Sequence, residues 1–107
     1  MAQDALLYGS PPHEISMDGR LLAHLKIVIV AKLRRNEPFL LSWDQPASEG
    51  SGRASIWLHP SIPLQFVFTA NRPPQLNQNW LELLSQSAMS SEGLRLMPEP
   101  QEGVAES

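Results

Sequence analysis

Between Gly19 and Arg35 the apolar side chains Leu22, Leu25, Ile29 and Leu33 recur at a 3-4-4 spacing, which sets them along one face of a helix. Leu21 and Val28 widen that stripe, and Asp18 stands where an N-cap carboxylate accepts the first orphan amides. The run Ile27-Val28-Ile29-Val30 argues for a strand instead, because branching at Cβ restricts χ1 in a helix. The stripe extends past the run in both directions and an N-cap precedes it, so the reading is a helix, ended by Asn36. Being apolar nearly all round at 27–31, it is expected to be the most buried element. A chain of 107 residues has room for one core built on such a helix and none for a second lobe.

Beyond the helix the chain alternates with period two. Phe39, Leu41 and Trp43 share a face in 38–43; Ile56 and Leu58 oppose Ser55, Trp57 and His59 in 53–59; Leu64, Phe66 and Phe68 share a face in 63–69. Three such segments in succession predict an antiparallel meander with one face on the core. Residues 5–9 and 13–17 read as short strands around the turn cluster Gly9-Ser10-Pro11-Pro12. Residues 71–89 predict a second helix, its first turn opened by Pro73 and Pro74 and its stripe made by Leu76, Trp80, Leu83 and Leu84. After Gly93, 94–97 read as a short last strand. The order β-β-α-β-β-β-α-β predicts an α+β fold, a small antiparallel sheet with two helices packed on one face. Residues 1–97 are expected to form this one domain. Residues 98–107, acidic and without large apolar groups, are expected to be a disordered tail.

Composition removes several classes of function. There is no cysteine, hence no disulfide, thiol nucleophile or thiolate metal site. His13, His24 and His59 are isolated, with no metal-ligand spacing, and His24 lies between Leu22 and Leu25 as a flank of the core face. No metal and no cofactor are expected. The opening "MAQDALLYGS" lacks a signal-peptide pattern, and the longest apolar run, 27–31, is far short of a membrane span. These features predict a cytoplasmic protein with no membrane partner. The net charge of −3 arises after Met97: residues 1–97 carry eight basic and eight acidic groups. Within them, 19–36 hold Arg20, Lys26, Lys32, Arg34 and Arg35 and no acid.

Two readings of those cations stay open. Lys32, Arg34 and Arg35 fall in the helix's last turn, where each meets the negative end of the dipole for ~0.3–1 kcal/mol. If Arg53, Arg72 and the face bearing Trp57 converge there, the same patch grips nucleic-acid phosphates while the indole stacks on a base. The chain as a whole lacks the basic balance of a dedicated nucleic-acid binder and has none of its recognised motifs.

"SEGSGRASIWLHPSIP" (48–63) concentrates reactive side chains in a short stretch. A nucleophile elbow needs G-x-S-x-G between strand and helix, whereas Gly50-Ser51-Gly52 precedes a strand. A Walker loop is absent too. The structural reading is a glycine-loosened connection, an alternating strand and a proline-framed turn. The functional reading is an anion site of exposed amides with Arg53, or His59 as a base oriented by Asp44 or Glu49. The candidate binding residues are Lys32, Arg34, Arg35, Arg53, Trp57 and His59, for a nucleic-acid or protein partner. The rival is a nucleotide- or phosphate-handling enzyme around Ser51, Arg53 and His59, with His59 reaching a carboxylate. A third reading is a homodimer formed through Trp57 and an exposed sheet edge. All three depend on whether the face carrying Arg53, Ser55, Trp57 and His59 is covered or open.

The stretches "LLAHLKIVIVAKLRRNEPFLLSW", "EGSGRASIWLHPSIPLQFVF", "NRPPQLNQNWLELL" and "GLRLMPEP", with the early "YG", together resemble a family. It is the family of small actinobacterial proteins of unknown function often labelled "ATP-dependent DNA ligase", and the likeness runs over about residues 5 to 100. The label implies a lysine adenylylated within K-x-D-G. Lys26 and Lys32 are followed by Ile-Val-Ile and Leu-Arg-Arg, so neither fits. Nor does a chain this short hold a nucleotidyltransferase lobe with an OB-fold. What the resemblance leaves is a DNA-associated accessory role.

Overall fold

Asp18 begins α1 (Gly19–Arg34) as the sequence suggests: its Oδ2 accepts the amides of Arg20 and Leu21, each at 3.1 Å. In this computed structural model, which describes residues 4–45 and 47–100, α1 buries Leu22, His24, Leu25, Val28 and Ile29. The helix is not covered all round, since Ile27 stays 43% exposed. It ends where Asn36 takes φ 60°, a left-handed conformation that asparagine tolerates at a helix C-terminus, with its amide bonded to the Leu33 carbonyl.

The element order is the expected one. Before α1 come β1 (Ala5–Tyr8) and β2 (His13–Ser16); after it come β3 (Phe39–Asp44), a 3-10 turn at Ala47–Glu49, β4 (Arg53–Leu58), β5 (Leu64–Val67), α2 (Gln78–Ala88) and β6 (Leu94–Arg95). The fold is α+β, with the strands sorted into two sheets of three. One runs β2-β1-β5, antiparallel throughout, with Ala5 opposite both Ser16 and Val67. The other runs β4-β3-β6; β3 and β4 are antiparallel from Phe39↔Leu58 to Asp44↔Arg53, while β6 lies parallel to β3 at Leu41↔Leu94.

The expected meander therefore stops after two strands. Between β4 and β5 stand Pro60 and Pro63, which carry no N–H for a ladder and turn the chain away. Gly9 then donates to the Pro63 carbonyl at 3.0 Å, and β5 joins β1 instead of β4. α1 and α2 pack on one another, α1 also touching β1 and α2 touching β3 and β6. Between these layers lie the fully buried Leu6, Leu22, Leu25, Ile29, Leu41, Leu58, Leu84 and Leu94.

α2 opens later than the prolines suggested. Its N-cap is Asn77, whose side chain accepts the Trp80 amide at 3.2 Å, and Pro73-Pro74 belong to the extended segment before it. A side-chain acceptor satisfies an orphan amide, which a proline does not. Of the expected tail, Pro98–Pro100 are described and Glu99 is engaged by Arg20; residues 101–107 lie outside the described residues. Among the described residues no helix is long and apolar enough to cross a membrane.

Candidate functional site

Alternation along β3 and β4 sends Phe39, Leu41 and Leu58 into the core and their neighbours outward. Register then builds the outer face in rungs: Trp57 opposite Leu40, Ser55 opposite Ser42, Arg53 opposite Asp44. Trp57 is 52% and Leu40 36% exposed, so two large apolar groups stand side by side in solvent. The two serine hydroxyls bond at 2.8 Å, and Arg95 of β6 meets Asp44 at 3.0 Å. The face is open, and a shallow groove lined by Leu40, Ser42, Arg53, Ser55, Glu92 and Arg95 crosses it. Arg53 has no ion-pair partner among the described residues.

The lateral edge of β4 is partly closed. Gln45 donates to the Gly52 carbonyl, so in an antiparallel ladder the even-numbered residues of β4 face β3 and Arg53, Ser55 and Trp57 present their amides and carbonyls to the other side. At the Trp57 end, the Tyr8 hydroxyl donates to the Trp57 carbonyl. Burial pushes the Tyr8 phenol above its ordinary value of 10.0, while the His59 backbone N–H pulls the other way. Tyr8 thus joins the first sheet to the second and occupies the edge that strand pairing would use.

Three of the other expected site residues, Lys32, Arg35 and His59, have partners of their own. Lys32 is drawn inward, its ammonium 5.4 Å from the Phe39 ring centroid and 3.4 Å from Glu37. Arg35 also binds Glu37, at 3.3 Å, and this bond holds the Glu37 carboxyl below its ordinary value. Arg34 is exposed at the helix end without an ion-pair partner among the described residues. His59 Nδ1 accepts from the Ser61 amide at 3.1 Å and lies 2.8 Å from the Ser61 hydroxyl, so a turn serine stands where a catalytic carboxylate was sought. Arg53 and His59 are six strand positions apart, about 20 Å at the usual rise. Ser51, at φ 59°, lies in the exposed connection before β4. Trp57, Ser55 and Arg53 share a surface; Arg34 of the basic helix end lines a separate groove with Pro60 and Ser61, the turn to which His59 is bonded.

A polar cluster missed in the sequence lies between α1 and α2. His24 is fully buried; its Nδ1 donates to the Arg20 carbonyl at 2.7 Å and its Nε2 accepts the Asn77 amide at 2.8 Å. Its ring lies 4.6 Å from that of Trp80. Asn77 donates to Glu99 and to the Pro100 carbonyl, and Arg20 grips Glu99 through two bonds of 2.8 Å. Among the described residues no buried side-chain polar atom lacks a partner, so the cluster reads as structural. Its sequence signal was present: an asparagine three residues before the first buried position of α2 is an N-cap pattern.

This cluster makes acid stability depend on Glu99. Hydrogen bonds from Arg20 and then Asn77 lower its carboxyl from 4.5 to about 2. A carboxyl depressed by folding stabilises fully above its unfolded value and loses that contribution as pH falls from about 4.5 toward 2. Urea midpoints measured across that range should fall steeply for the parent chain and distinctly less for Glu99→Gln. Parallel acid limbs would remove Glu99 from the account.

Residues 3–99 match the model of one protein family, Domain of unknown function (DUF7882). No curated protein and no solved structure matches the chain.

Proposed function

The chain belongs to the DUF7882 family, and from that premise we propose that it is a small non-enzymatic binding domain whose partner is a protein, docked on the outer face of the β4-β3-β6 sheet. The observation that carries this reading is the exposed Trp57–Leu40 rung on a sheet whose other face is core. An aromatic anchor with serines and arginine around it is the composition of an interface centre and its rim. The partner presents an apolar side chain to Trp57 and a carboxylate to Arg53.

Charge argues against phosphate as the main attraction. A grip on nucleic acid needs several cations side by side, each displacing counterions. Here Lys32 and Arg35 share Glu37, and Arg95 is matched by Asp44. The DNA-associated role keeps one supporting observation, an exposed indole with Arg53 on the same face, which suits base stacking. An enzymatic reading has less: His59 bonds a serine two residues on, and no K-x-D-G surrounds either lysine.

The two binding readings separate in one set of measurements. Trp57→Ala should remain folded, losing only the packing of the covered half of the ring, and should weaken a purified partner by about 30-fold, the ~2 kcal/mol of an aromatic hot spot. A single-stranded DNA oligomer at low salt should leave the amide resonances of 40–44 and 53–57 in place. Saturable shifts there with a steep salt dependence, or a partner indifferent to Trp57→Ala, would overturn the protein reading.

A further inference from the structure

The first half of α1 and the segment from Phe68 to Leu76 bound a second groove, about 740 Å³, which shares no lining residue with the groove on the sheet face. Its size falls within the range of small-molecule sites. Ala23, Lys26 and Ile27 come to one wall by their i, i+3 and i+4 spacing; Phe68, Pro74 and Leu76 form the other. Ile27 is among the exposed large apolar side chains, and Phe68 is only partly buried against the core. The groove therefore has an apolar floor that the described residues leave open.

Its charges are unevenly engaged. Asp4 Oδ1 accepts the Thr69 amide at 3.0 Å and hydroxyl at 2.8 Å, and Asp18 caps α1. Arg20 is bound to Glu99 and to the Gln75 carbonyl. Lys26 and Arg72 have no ion-pair partner among the described residues, and Lys26 has only the Phe68 ring, 5.8 Å from its ammonium. Lys26 stands eight residues along the helix from Asp18, about 12 Å of rise, so the acids and this cation mark different ends.

We infer that this groove binds a small amphipathic anion, an alkyl or aryl carboxylate whose apolar body lies between Ile27 and Phe68 and whose carboxylate meets Lys26 and Arg72. An apolar surface of this size, with Lys26 beside the Phe68 ring and Arg72 in the same lining, is complementary to that chemistry. The groove and the sheet face bind independently of one another.

Decanoate, kept below its micelle concentration, is the probe. Calorimetry on the full chain should give saturable one-to-one binding, and amide shifts should centre on 23–27 and 68–76. Lys26→Gln and Arg72→Gln, both surface changes, should each weaken it about tenfold, as expected for a charge-assisted contact. Decanol should bind more weakly than decanoate, and Trp57→Ala should leave the affinity unchanged. No saturable binding, shifts confined to the Trp57 face, or equal affinity in Lys26→Gln with Arg72→Gln would overturn the inference.

Discussion

His24→Ala is expected to lower the unfolding free energy by about 3–4 kcal/mol, which for a domain of this size shifts the thermal midpoint by about 15 °C. The loss combines two terms. Deleting a fully buried ring leaves a void beside Trp80, and the Asn77 amide loses its acceptor in a dry environment. His24→Phe leaves no void and keeps the aromatic contact, though its ring is somewhat larger, and it restores no acceptor, so it should cost about 1–2 kcal/mol. Urea denaturation followed by far-ultraviolet circular dichroism reads both variants. A loss below about 1 kcal/mol for His24→Ala would mean that the cluster is not stabilising as a unit.

The second large effect is expected at Gly93, in the turn between α2 and β6. Its φ is 87°, and a Cβ there would stand 2.6 Å from the Leu40 carbonyl oxygen and 2.8 Å from the Leu40 Cβ. The carbonyl belongs to the middle strand of its sheet, so it cannot swing aside as a side-chain tip would. Gly93→Ala therefore adds overpacking to backbone strain, about 3 kcal/mol together. Gly52→Ala is the control: its φ is 89°, with nothing within 4 Å of the added carbon. It should cost only the conformational strain, about 1 kcal/mol. Equal losses at the two positions would show that strain alone, not contact with Leu40, fixes Gly93.

Much of this architecture could be read from local patterns. The Asp18 cap, the α1 stripe and the alternation of β3 and β4 are short-range signals, and each has its counterpart in the structure. The pairing of β5 with β1 was not readable in that way. It depends on how Pro60 and Pro63 redirect the chain and on a partner strand nearly sixty residues away, information that no period-two pattern carries. The parallel β6 is only two residues long, too short for any periodicity to declare it. At the sheet face the sequence placed Arg53, Ser55 and Trp57 together because alternation is a backbone property. For the basic helix end it carried no information on partners, because formal charge says nothing of them: Glu37, just beyond the acid-free segment, binds both Lys32 and Arg35. The Arg20–Glu99 bond spans 79 residues, and composition alone assigned Glu99 to a loose end.

The joint at Tyr8 has a mechanical consequence. Within each sheet the strands are laced by ladders that resist shear, but among the described residues no strand belongs to both sheets. At the corner where Pro60–Pro63 turn the chain, a phenolic hydroxyl on the Trp57 carbonyl ties the two sheets together. That bond uses the carbonyl an added strand would need, so a partner pairing with the Trp57 end of β4 would have to break this link between the sheets.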